Sequence, residues 1–136
     1  MKSIIFLISL LSFSSLLQAQ KDYKVVFDLT SRDSVDHKNV VRWINEITAS
    51  EPNANLEVVL YGKSLDMVTK DKSVVSNAVQ QLAAKPNVAF KVCAIAMKNN
   101  NVDKAQLIPG VQVVPDGIYE IIGKQKEGWG YIKASH

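Results

Sequence analysis

Cysteine and histidine are scarce in this chain of 136 residues, which holds one of the first and two of the second. A single thiol, Cys93, excludes an internal disulfide framework and any C-x-x-C dithiol, which needs a resolving partner. Two histidines, His37 and His136, are too few for a histidine-based metal site, so no metal is expected. Charge of one sign is also lacking, with 16 Lys and Arg against 13 Asp and Glu. Without a concentrated basic face to displace counterions, dedicated nucleic-acid binding is excluded. Neither G-x-G-x-x-G nor G-x-x-x-x-G-K-[ST] occurs, so the familiar nucleotide sites have no support and no cofactor is expected. Internal repeats and low-complexity linkers are missing too, and beyond the N-terminus no apolar run is long enough to span a bilayer.

What is present begins with an export signal. Lys2 supplies a positive n-region, Ile4 to Leu17 an apolar core, and Leu17-Gln18-Ala19 a short pattern ending in a small residue, which predicts cleavage after Ala19. The alternative, a membrane anchor, is opposed by Ser9, Ser12, Ser14 and Ser15 and by a length below the ~20 apolar residues a span needs. No cysteine follows for lipid attachment. Residues 20–136 then form one domain of 117 residues, carrying a net charge of +2 because the signal holds one lysine and no acidic residue. It is expected to be soluble in the periplasm or outside the cell, with no membrane contact after cleavage.

Apolar periodicity in this domain alternates between two kinds. Strands are expected at Tyr23 to Thr30, Leu56 to Tyr61, Val88 to Cys93, Val111 to Val114 and Trp129 to Lys133, all rich in β-branched and aromatic residues. Helical spacing is expected from Ser34 to Ser50, from Asp71 to Lys85 with Asp71 as the cap, over a short turn from Ala94 to Asn99, and from Gly117 to about Lys126. In the last helix Ile118, Ile121 and Ile122 are expected to face inward. Asp103 and Gln106 have the spacing of a capping box. Strands alternating with helices predict right-handed crossovers and an α/β fold, a three-layer α/β/α sandwich around a mainly parallel five-stranded sheet.

Ligands of such sheets bind beyond the carboxyl ends of the strands. The residues there are Thr30 to Asp33, then Tyr61, Gly62 and Lys63, then Cys93 and Ala94, and finally Pro115, Asp116 and Gly117. Cys93 ends an apolar strand and precedes a short helix, where unpaired N–H groups and nearby Lys98 favour a thiolate. Burial in the core is the competing expectation, because free cysteine is among the most buried residue types. His37, flanked by Asp36 and Lys38, is expected on the solvated surface rather than paired with the thiol.

Three segments carry a resemblance. Phe90-Lys91-Val92-Cys93-Ala94-Ile95-Ala96-Met97-Lys98, Leu107 to Gly117, and Gln125 to Lys133 resemble the DsrE/DsrF-like family, most closely its exported single-domain branch. Phe27-Asp28-Leu29-Thr30-Ser31 and Glu57-Val58-Val59-Leu60-Tyr61-Gly62 are similar to the first two strands of that branch. The resemblance implies a five-stranded α/β/α fold, homo-oligomers of three or six subunits and, in sulfur-relay members, a cysteine that carries sulfane sulfur as a persulfide. Cys93 matches that cysteine; Thr30, Ser31, Tyr61, Gly62, Ala94, Lys98 and Pro115 are the expected substrate-binding surroundings. One departure is local: Ala94-Ile95 stand where relatives often carry a pair that includes Asn, whereas Lys98 fits the pattern.

Two functions from different classes follow. One is a sulfur carrier or sulfurtransferase-like protein that exchanges sulfur with a thiol- or persulfide-bearing protein partner. The other is a non-catalytic oligomeric or small-ligand-binding protein that keeps the fold and the buried thiol without the chemistry, since fold alone does not imply function.

Overall fold

Continuous apolar runs such as Val25-Val26-Phe27 and Val58-Val59-Leu60 are what strands buried on both faces require, and they form the middle of the sheet. The computed structural model describes residues 22–136, and the expected signal and its cleavage point lie outside the described residues. Strands β1 (Lys24–Leu29), β2 (Asn55–Leu60), β3 (Val88–Cys93), β4 (Gln112–Val114) and β5 (Gly130–Lys133) form one sheet in the order β4-β3-β2-β1-β5. Every pairing is parallel, with Val58 level with Phe27 on one side and with Phe90 on the other. Four α-helices connect them: α1 (Ser34–Ser50), α2 (Ser76–Ala83), α3 (Ala94–Asn99) and α4 (Gly117–Lys126).

The strand order dictates which face each helix covers. From β1 to β4 the chain steps always in one direction, so right-handed crossovers leave α1, α2 and α3 on the same face. There Phe27, Leu29, Val58, Leu60, Phe90 and Val92 pack with Val40, Ile44, Val79 and Leu82 in the main core. Burying each such side chain contributes about 1.5–3 kcal/mol. The return from β4 to β5 crosses the whole sheet, and α4 therefore lies on the opposite face, over a small core of Val26, Val59 and Ile121.

Helix α1 spans the expected residues, and its Asp33 cap accepts a hydrogen bond from the Val35 N–H at 2.8 Å. The capping box at Asp103 and Gln106 is also formed, on a 3₁₀ turn over Lys104–Gln106. Helix α2 is shorter than expected. Residues 71–75 lie outside it because Lys72 and Ser73 donate to the Thr69 carbonyl and the Val75 N–H is taken by Ser73 Oγ, so Asp71 caps nothing. His37 is buried rather than solvated, its Nε2 lying 2.8 Å from the Ser31 carbonyl oxygen.

Helix α4 departs most from expectation. Ile121 faces inward, but Ile118 and Ile122 are exposed. The sheet beneath the helix carries Glu57 and Lys91, and α4 turns Glu120 and Lys124 onto them instead of its remaining isoleucines. Lys91 Nζ lies 3.1 Å from Glu57 and 2.8 Å from Glu120, while Lys124 reaches Glu57 at 3.5 Å and stands over the Trp129 ring. Burial and the adjoining Glu120 carboxylate push Glu57 up to about 7. Burial would raise Glu120 too, but its bonds to Glu57 and Lys91 outweigh that and hold it below its ordinary value.

Candidate functional site

Between β3 and β4 the connections diverge, since α3 leaves toward one face of the sheet and α4 toward the other. A crevice opens at such a point in an open α/β sheet. Here it is a cavity of about 430 Å³ at the carboxyl ends of the strands, with Cys93 in its lining. Cys93 is the last residue of β3 and the residue before α3; its side chain makes no capping hydrogen bond, and it is 5% exposed.

The walls come from three connections. After β2, the chain turns through Gly62, whose φ of +62° is strained for any residue with a Cβ, and the Lys63 N–H donates to the Thr30 carbonyl at 3.2 Å. Across the cavity Asn100, just past α3, donates its side-chain amide to the Gly62 carbonyl at 3.0 Å and to the Ala96 carbonyl at 2.7 Å. Asp116 caps α4 by accepting from the Ile118 N–H at 2.9 Å. The α4 entry sits very close to the sheet: a Cβ on Gly117 would lie 3.2 Å from Val59 Cγ1 and 3.3 Å from the Cβ atoms of Cys93 and Tyr61. Exposed Ile95 and Ile118 flank the opening.

A polar cluster adjoins this site on the α4 face. Tyr131 on β5 donates to the Asp28 carboxylate on β1, and that bond with partial burial pushes Tyr131 up to about 12. Burial and the same carboxylate raise Tyr61 above its ordinary value as well. Both phenols are therefore neutral hydrogen-bonding groups across the physiological range. Among the described residues, no group of His, Cys, Asp and Glu could hold a metal ion, and no helix is long and apolar enough to cross a membrane.

The sequence profile of the DsrE/DsrF-like family matches residues 24–134, from the first residue of β1 through β5. The chain belongs to the DsrE/DsrF-like family. Solved structures share its fold. A protein of unknown function, MTH1491 from Methanobacterium thermoautotrophicum, is 29% identical with a TM-score of 0.77, over 82% of this chain and 99% of that one. The ychN protein from E. coli shares the fold at 15% identity and a TM-score of 0.66, over 83% of this chain and 98% of its own. BT1422 from Bacteroides thetaiotaomicron, also of unknown function, does so at 15% and 0.67, over 81% and 93%. No curated protein matches the chain.

Within this DsrE/DsrF-like domain the structure brings together only part of the expected site. Cys93, Tyr61 and Gly62 line the cavity. Thr30 packs beneath Gly62, 3.5 Å from where a Cβ there would stand, and so supports the wall from behind. Ser31 belongs to the entry of α1, where its Oγ accepts from the Asp33 N–H at 3.0 Å. Ala94 opens α3, while Lys98 and Pro115 are exposed, and none of the three is in the lining. Sequence reasoning passed over Asn100, which supplies an amide from the far end of α3 where the segment next to Cys93 has none. The Asn99-Asn100-Asn101 run at the end of α3 carries no signal beyond that of a helix terminus.

Proposed function

We propose that this DsrE/DsrF-like chain is an exported sulfur carrier or sulfurtransferase-like protein that holds a persulfide on Cys93. The observation that carries this reading is the position of the chain's one thiol in the lining of the crevice where β3 and β4 diverge. In the step required, the Cys93 thiolate attacks the outer sulfur of a sulfane donor, a new S–S bond forms, and the donor's S–S bond breaks. The donor departs as a thiol, and a partner thiol later takes the outer sulfur by the same exchange in reverse. The burial of Cys93 favours the second reading, a non-catalytic oligomeric or ligand-binding protein.

Intact-mass measurement separates the two. After incubation of residues 20–136 with a sulfane-sulfur donor, the carrier gains the mass of one sulfur and Cys93→Ser does not. A protein that gains no mass and resists alkylation until unfolded is the non-catalytic alternative.

Self-association of the domain is part of the proposal. A five-stranded sheet is about 20 Å across, and a single helix about 10 Å wide covers only part of it. On and around α4, Tyr119, Ile122 and Tyr131 are exposed together, which suits a face buried between copies.

A further inference from the structure

Resting on the sulfur-carrier reading of Cys93, we propose that the donor this cavity takes is an organic hydropersulfide, R–S–SH with an apolar R group, and that inorganic sulfur anions are poor donors. A cavity of about 430 Å³ falls in the range that organic ligands fill. Its mouth is apolar: Ile95 from α3 and Ile118 from α4 are 52% and 54% exposed on either side of the opening. An R group seated between them removes that surface from water.

Two of the donor groups around the cavity that could cradle an anion are already occupied. Both amide hydrogens of Asn100 are used on the Gly62 and Ala96 carbonyls, so what remains to the cavity is its acceptor oxygen. The Ile118 N–H at the start of α4 is taken by the Asp116 carboxylate. Lys63 and Asp116, of opposite sign, are the charged side chains in the lining, and with the exposed Asn99 amide they give a dianion no net attraction. In the transfer, Cys93 Sγ bonds to the terminal sulfur, the R–S to S–H sulfur bond breaks, and R–S⁻ takes the hydropersulfide proton to leave as R–SH. No net oxidation or reduction occurs.

The test uses residues 20–136 with benzyl hydropersulfide, thiosulfate or inorganic polysulfide at equal sulfane sulfur, following the gain of one sulfur by mass, with Cys93→Ser as blank. Loading by benzyl hydropersulfide is expected to saturate and to exceed both anions by roughly tenfold, the size of discrimination an apolar contact supplies. Ile118→Asp, at an exposed position that leaves folding intact, is expected to raise the half-saturating concentration while the maximal rate holds, and Ile118→Leu to restore it. Anions that load Cys93 as fast as the benzyl donor, or an Ile118→Asp variant with unchanged half-saturation, overturn this proposal and leave the carrier reading standing. Failure of every donor to load Cys93 overturns both.

Discussion

The Asn100 side chain donates to the Gly62 carbonyl oxygen at 3.0 Å, across 38 residues of sequence, and so holds the loop after β2 against the helix that follows Cys93. Its second amide hydrogen goes to Ala96, which makes the residue a clamp between two walls of the cavity.

Replacing Asn100 by Ala removes both bonds and leaves the Ala96 carbonyl short of one partner. Each net bond contributes about 0.5–1.5 kcal/mol, so a loss of about 1–3 kcal/mol is expected in denaturant unfolding, with an unchanged m-value. An unaltered midpoint would show that water replaces both bonds at no cost.

Gly117 is where α4 touches the sheet. With Val59 and Cys93 buried and unable to yield, Gly117→Val should overpack the junction and cost about 1–3 kcal/mol. The same change should alter the alkylation rate of Cys93 in the folded state, because its side chain lies beside the new methyl groups. A variant as stable as the parent would mean that α4 shifts freely on the sheet.

The carboxyls under α4 predict a pH dependence with a definite sign. Glu57 titrates near 7 when folded against an ordinary 4.5, so the folded state binds the extra proton between those values. Its contribution to stability is full below 4.5 and is lost as the pH rises through about 7. Glu120, held below its ordinary value, acts oppositely, contributing above that value and losing its contribution toward lower pH. Glu57→Gln should flatten the decline between pH 4.5 and 7 in thermal melts, and a slope identical to the parent's would refute the assignment to Glu57.

Tyr119 is 75% exposed on α4, so Tyr119→Asp should leave unfolding unchanged within about 0.5 kcal/mol. On a self-associating face, however, it buries an unpaired charge. Sedimentation velocity should show a parent larger than one chain and a variant shifted to monomer; a parent that is itself monomeric removes the association proposal.

Much of the frame was legible because it rests on local chemistry. Apolar β-branched runs marked all five strands to within two residues at either end, helical spacing marked α1 and α4, and alternation with helices implied parallel crossovers. The placement of Cys93 at a strand's carboxyl end followed from the same pattern.

Periodicity, by contrast, identifies apolar stripes without saying what covers them. Ile118 and Ile122 read as core residues, yet the sheet below α4 offers Glu57 and Lys91, and pairing those charges decided which stripe of the helix turned inward. His37 read as a surface residue among charges, but a carbonyl six residues earlier in the chain, at Ser31, gave its ring a partner inside. Asn100 carried no functional signal at all, since its partner Gly62 meets it only once β2 and β3 lie side by side. The sequence by itself determined the strands, the capping box at Asp103 and Gln106 and the edge on which the thiol stands, because propensity, local capping and apolar patterning act over a few neighbouring residues. Which polar groups meet, which hydrophobic side chains stay exposed and which residues wall the cavity around Cys93 were decided only by tertiary structure, because those contacts join elements that the chain keeps far apart.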